Sequence, residues 1–101
     1  MVIYYANGKK ETLAHVRVSW EGLKEIVASG TKHSYVEFVF PRKSPGLVLI
    51  VNEEGHVHQL PFNRDASLLY SDDPQSVAGD VLVVTRDEYN RYIKNEEDDE
   101  V

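Results

Sequence analysis

The sequence has no cysteine among its 101 residues, and its apolar runs are short. The absence of cysteine excludes disulfide bonds, thiolate catalysis and zinc held by cysteine. A membrane helix needs about 20 consecutive apolar residues, and stretches such as residues 47–51 are far shorter. The first residues also lack the basic region and long apolar stretch of a signal peptide. We therefore expect a soluble, cytoplasmic protein without a membrane partner.

Motifs that carry common enzyme chemistry are also missing. There is no G-x-x-x-x-G-K-[ST] phosphate loop, no G-x-G-x-x-G dinucleotide motif and no G-x-S-x-G nucleophile motif. No pair of carboxylates stands out from the other acidic residues. We therefore predict no catalytic residue and no cofactor. The missing motifs favour a protein without enzymatic activity over an enzyme.

The negative charge is concentrated at the C-terminus. The chain carries 17 acidic and 11 basic residues, and five of the acids lie in residues 95–101, which hold no base. Such a run of like charges repels itself and has little to bury, so we predict a disordered acidic tail after a single domain of residues 1–94. The domain itself is close to neutral and has no basic stripe. Direct binding to nucleic acid is therefore disfavoured, because phosphate neutralisation is its main source of affinity.

The apolar pattern predicts strands interleaved with helices. Strands are predicted over residues 2–5, 10–18, 34–40, 47–51, 56–60 and 81–84, where β-branched and aromatic residues lie between turn signals. Helices are predicted after the N-cap residues Ser19, Asn63 and Thr85. Gly30 is expected to end the first helix in a left-handed conformation, and the last helix is expected to reach Lys94.

This order of elements indicates an α+β fold. We predict a small mixed, largely antiparallel sheet of about six strands with two or three helices packed on it. Residues 47–51 and 81–84 are apolar at every position, which is typical of strands covered on both faces. Either helices lie on both faces of the sheet, or one face meets a second subunit. A homodimer is therefore kept as an alternative.

Two histidines are weak candidates for a ligand site. His56 and His58 lie two residues apart on the strand predicted over residues 56–60, so both side chains would point to one side of the sheet. A metal ion would need a further ligand from His15, His33 or Asp72. The simpler interpretation is a pair of half-exposed histidines on the polar face of a hairpin, and we predict no metal.

Other polar residues have local structural explanations. Asn52 and Gly55 suit a turn, with Gly55 in a left-handed position, and Asn63 suits a helix cap. An acid in a Gly-Asp pair, as at Gly79 and Asp80, commonly accepts backbone amides in a turn. These interpretations need no substrate.

Three segments resemble a small domain of unknown function that occurs in bacteriophages, prophages and some bacterial genomes. The segments are Val-Asn-Glu-Glu-Gly at 51–55, Leu-Pro-Phe-Asn-Arg-Asp-Ala at 60–66 and Gly-Asp-Val-Leu-Val-Val at 79–84, within a resemblance that covers about residues 19–84. The chain departs from that family at Ser29-Gly30-Thr31, where a Gly-Gly-like helix end is common. The resemblance implies a phage-like accessory protein in a bacterial cytoplasm. It also implies a family fingerprint, which consists of Asn52, Gly55, Asn63, Ala66, Gly79 and Asp80.

Two functions follow as hypotheses. The first is a non-catalytic binding module that acts on a host or phage protein, which the near-neutral domain with six tyrosines in the chain favours. The alternative is a protein that binds a small ligand or nucleotide. Its pocket would lie near His56, His58, Asn63 and Asp80.

Overall fold

A computed structural model describes residues 1–14, 18–29 and 35–94 of the chain. The strands are β1 (Val2–Tyr4), β2 (Lys10–Thr12), β3 (Val36–Val39), β4 (Leu47–Asn52) and β5 (Val81–Thr85). The helices are α1 (Trp20–Ala28), α2 (Arg64–Tyr70) and α3 (Arg86–Glu88), and α3 continues as a π-helix over Tyr89–Ile93. The predicted tail, residues 95–101, lies outside the described residues.

The strands form one antiparallel sheet. Its order is β2-β1-β5-β4-β3, and every neighbouring pair is antiparallel. This confirms the predicted α+β fold, with five strands in the described part of the chain where about six were predicted. The prediction of a strand over residues 56–60 is wrong, because residues 53–59 form consecutive turns. β2 ends at Thr12, short of the predicted residue 18, and residues 15–17 lie outside the described part.

Helices cover both faces of the sheet. On the first face, α1 and the C-terminal helix pack on Val48 and Ile50 of β4. On the second face, α2 and residues of the segment 71–78 pack on Leu49 and Val51 of the same strand. β4 and β5 are therefore buried on both sides, as their unbroken apolar runs predict. None of the described helices combines the length and apolar content that a bilayer span requires.

The side-chain caps are present at the three helix starts where the sequence predicts them. Ser19 Oγ accepts from Gly22 N over 3.0 Å at the start of α1. The Asn63 and Thr85 side chains cap α2 and α3. These side chains accept hydrogen bonds from backbone N–H groups that have no partner inside the helix. Each cap therefore depends only on residues that are close in sequence.

The last helix reaches Lys94 as predicted, whereas the left-handed residue at the end of α1 is Ser29. α1 ends at Ala28, and its C-cap Ser29 has a left-handed φ of 50°. Gly30, which was predicted to take this conformation, lies outside the described residues. Ser29 uses this geometry to place its Oγ 3.0 Å from Asp80 N, where it accepts a hydrogen bond at the entrance to β5. The last helix widens into a π-helix over residues 89–93, with Lys94 N donating to Tyr89 O. Tyr89 and Ile93 are both buried in the first-face core.

Candidate functional site

His56 and His58 do not form a pair. His56 Nε2 lies 3.1 Å from Ser76 O, and its ring packs at 6.0 Å from the ring of Phe62. His58 Nε2 lies 3.3 Å from Glu54 Oε2. The prediction that both side chains share one face of a strand is wrong, because the segment is a series of turns whose backbone groups bond within residues 52–60.

Neither histidine belongs to a group of side chains that could hold a metal ion, among the residues that the structure describes. These residues contain no group of three or more histidine, aspartate or glutamate side chains placed to hold a metal ion. Asp72, one of the three candidates, lies 2.8 Å from Lys43 Nζ, which lowers the pKa of its carboxyl through a hydrogen bond and charge attraction. The other two, His15 and His33, lie outside the described part of the chain.

Position 55 requires glycine because a side chain there would collide with a neighbouring backbone segment. Its φ is not positive, so the predicted left-handed turn position is wrong. A Cβ atom at Gly55 would lie 2.8 Å from the carbonyl oxygen of Ala78. Only glycine lets the turn of residues 53–59 approach the strand-like segment at residue 78 so closely. This approach holds the turn against the second face of the sheet.

Asn63 joins three parts of the fold. Its side chain is almost fully buried, and Oδ1 accepts from Ala66 N over 3.1 Å, which confirms the predicted cap. Nδ2 donates to Tyr4 O over 2.7 Å and to Gly79 O over 2.9 Å. Asn63 therefore fastens α2 to β1 and to the turn before β5, and its polar atoms are all used.

Gly79 and Asp80 also have structural roles, one through its backbone conformation and the other through a hydrogen bond to a backbone amide. Gly79 has a φ of 86°, which a side chain would rarely adopt. Asp80 Oδ1 accepts from Ala6 N over 2.9 Å, which confirms that this carboxylate receives a backbone amide. The side chain thereby ties the turn after β1 to the start of β5.

The two remaining fingerprint residues, Asn52 and Ala66, contact Gly55 and Asn63 through backbone and cap hydrogen bonds. Asn52 is buried at the end of β4, where its Nδ2 donates to Val27 O over 3.1 Å and its Oδ1 accepts from Glu54 N over 2.9 Å. Ala66 is fully buried in the second-face core. The six fingerprint residues do not line one common site, and each has a contact that shapes the fold.

A cleft on the second face of the sheet is the feature that sequence reasoning missed. It has a volume of about 140 Å³ and lies between β3, β4, the turn after β4 and the end of α2. Val39 and Val51 are among its apolar walls. Its polar and aromatic walls include Glu37, Glu53, His56, Tyr70 and Ser76. Of the four residues expected around a ligand pocket, only His56 lines this cleft, and Asp80 lines a separate and more open depression of about 450 Å³ beside Ile3 and Ser29.

The cleft is acidic. Two of its walls are carboxylates, Glu37 and Glu53, and no described lysine or arginine lines it. Neither carboxylate forms an ion pair or hydrogen bond through its side chain with a described residue. Tyr70 adds an aromatic ring that is 45% exposed. The cleft therefore offers negative charge and an aromatic surface.

β3 forms the edge of the sheet beside this cleft. Glu53 N donates to Tyr35 O over 2.7 Å, so these residues form a hydrogen-bonded pair. Hydrogen-bonded and non-hydrogen-bonded pairs alternate along an antiparallel ladder. The odd-numbered residues of β3 therefore bond to β4, and the N–H and C=O groups of Val36 and Phe38 point outward. No described residue hydrogen-bonds to these outward groups.

The other edge of the sheet has a different character. Leu13 N donates to Met1 O over 2.8 Å, so the same alternation leaves Lys10 and Thr12 of β2 with outward backbone groups. β2 reads Lys-Glu-Thr and is exposed throughout, and charged residues of this kind protect an edge from further pairing. β3 reads Val-Glu-Phe-Val and has no lysine.

Comparison with family models, with curated proteins and with solved structures finds no match to this chain in any of the three. The resemblance to the phage domain of unknown function therefore stays a prediction. The function is argued below from the geometry of the cleft and of the β3 edge.

Proposed function

We propose that this chain is a non-catalytic protein-binding module that receives its partner along the β3 edge and the adjoining cleft. The observation that carries the proposal is the outward-facing backbone of Val36 and Phe38 on an apolar edge strand. An exposed edge strand that has no lysine and a single charged residue, Glu37, is a template for pairing with another chain. Tyr35 and Phe40, which are 53% and 44% exposed, extend the apolar surface at either end of β3.

The size of the cleft favours a side chain over a free small molecule. Ligand pockets usually have volumes of about 300–1,000 Å³, whereas this cleft has about 140 Å³. An apolar cavity of about 150 Å³ accepts a group of the size of benzene. The cleft therefore suits one side chain of a bound protein, and it is too small for a nucleotide.

The biological setting in this proposal comes from the motif resemblance. A phage-like accessory protein of about this size would act in the cytoplasm of a bacterial host by covering a surface of a host or phage protein. The short turn and cap motifs at residues 51–55, 60–66 and 79–84 support this part of the proposal.

A proline substitution on each edge tests the use of β3. Val36→Pro removes one outward N–H from β3 and leaves the hydrogen bonds to β4 intact, because proline is tolerated where the N–H faces solvent. Thr12→Pro is the matched control, since it removes an outward N–H from β2. The three proteins are used to capture partners from bacterial lysate, and a retained protein is then purified and its binding measured by calorimetry.

We expect a partner that binds the unmodified chain and Thr12→Pro alike and loses its affinity for Val36→Pro. Equal binding to all three proteins would contradict the proposal, and so would a lysate that yields no partner. The melting temperature of each variant is measured first, so that loss of binding is not confused with loss of folding.

A further inference from the structure

The two faces of β3 set what an added strand would meet. Val36 and Phe38 pack against the first-face core, and Glu37 and Val39 line the cleft on the second face. A strand that bonds to the outward groups of β3 would lie about 4.8 Å away, with its own side chains alternating between the same faces. Glu37 would then occupy a non-hydrogen-bonded position, where opposing side chains approach most closely.

The negative charge around Glu37 determines which residue of an added strand can lie opposite it. Glu37 and Glu53 both line the cleft, and neither carboxylate is paired with a described residue. A lysine or arginine opposite Glu37 would neutralise this charge, whereas an acid there would be repelled. The exposed ring of Tyr70 provides a second attraction for a cation within the same cleft.

A second copy of the chain fits this edge poorly. The antiparallel register that pairs Val36 of one copy with Phe38 of the other places Glu37 directly opposite its own counterpart. Directly opposed like charges destabilise a pair of strands. The edge therefore favours a different, basic segment.

We propose that the β3 edge binds an extended peptide segment of another protein, and that a lysine or arginine of this segment enters the cleft beside Glu37 and Glu53. This inference rests on the proposed function and specifies the chemistry of the partner. The segment adds to the sheet as a sixth strand, with apolar residues alternating around the basic one.

A selection from random peptides tests the specificity without knowledge of the natural partner. Displayed random decapeptides are selected on the full chain, and the best peptide is synthesised. Its affinity is measured by fluorescence anisotropy for the unmodified protein, for Glu37→Gln with Glu53→Gln, and for the matched control Glu25→Gln on the exposed face of α1. Hydrogen exchange of the Val36 and Phe38 amides is measured with and without the peptide.

We expect selected peptides to share one lysine or arginine within an alternating apolar pattern. Removing both cleft carboxylates should weaken binding by up to about fivefold, the upper end of the effect of one opposite-charge pair across strands, and Glu25→Gln should leave it unchanged. The amides of Val36 and Phe38 should exchange more slowly in the complex. Glu37→Lys should reject the peptide and accept its analogue in which the basic residue is replaced by glutamate.

Several results would overturn the inference. These are selected peptides without a basic residue, equal binding to the variants without the cleft carboxylates, unchanged exchange at Val36 and Phe38, and a selection that yields no binder. A dimer of the chain that Val36→Pro abolishes would show that a second copy takes the edge. A partner protein that needs the β3 edge but presents an apolar or acidic segment would leave the proposed function standing and remove this inference alone.

Discussion

Replacement of Asn63 should be among the most destabilising single substitutions in this chain. Its side chain is 1% exposed and makes three hydrogen bonds to backbone groups, two as donor and one as acceptor. Asn63→Ala removes an N-cap, at a cost of about 0.5–2 kcal/mol. It also leaves the carbonyl groups of Tyr4 and Gly79 without this donor, and an unsatisfied buried polar group costs about 1–3 kcal/mol.

The two costs add to an expected loss of about 1.5–5 kcal/mol in the free energy of unfolding. Domains of this size are stable by only about 5–15 kcal/mol, so the loss is a large part of the whole. It corresponds to a fall of at least about 6 °C in melting temperature. Urea unfolding followed by circular dichroism measures the change, and Asn90→Ala, at an exposed position of the C-terminal helix, is the control.

Asn63→Asp distinguishes the contribution of the helix cap at Oδ1 from that of the two hydrogen bonds that Nδ2 donates. A carboxylate keeps the acceptor for Ala66 N, but it faces the carbonyl oxygens of Tyr4 and Gly79 where Asn63 Nδ2 now donates. The buried charge raises the pKa of Asp at this position, so its penalty is present at neutral pH and falls as pH drops through that raised pKa. A loss below about 1 kcal/mol for Asn63→Ala, or equal stability of Asn63→Asp and the unmodified protein at pH 7, would refute this account of Asn63.

Two further predictions concern a close contact and an ion pair. Gly55→Ala should destabilise by about 1–3 kcal/mol in urea unfolding, because its Cβ would lie 2.8 Å from Ala78 O; Gly46→Ala, with open space around it, should cost far less, and equal effects would contradict the contact. The hydrogen bond and charge of Lys10 lower the pKa of Asp65, so this pair contributes stability above the ordinary aspartate range and loses it as pH falls through the lowered pKa. Carbon-detected NMR titration should show that pKa rising in Lys10→Met, and an unchanged titration would show that the pair does not act in solution.

Much of the fold could be predicted because its signals are local. The caps at Ser19, Asn63 and Thr85 depend on side chains that bond within three residues, and each is present. The apolar runs of β4 and β5 predicted strands buried on both faces, since no solvent-facing residue interrupts them. Asp80 was correctly interpreted as an acceptor of a backbone amide, although the particular amide, that of Ala6, is distant in sequence.

The errors arise where distant segments decide the local structure. The alternation of His56, His58 and their neighbours fits a strand, but Gly55 packs against Ala78 and the chain turns there. Gly55 carried a signal, since a glycine can mark a close approach of backbones as well as a left-handed turn. Nothing near it in sequence identifies the residue that it approaches.

The sequence by itself determined the caps, the turn at Gly79 and the two buried strands, because the interactions concerned lie within a few residues or follow from an unbroken apolar pattern. Only the tertiary structure decided that β3 is an edge and that Glu37 and Tyr70 meet in one cleft, because strand order and the meeting of distant side chains depend on how the whole chain packs. The proposed binding surface belongs to this second class. It consists of residues from two strands, a turn and a helix that become neighbours only in the folded sheet.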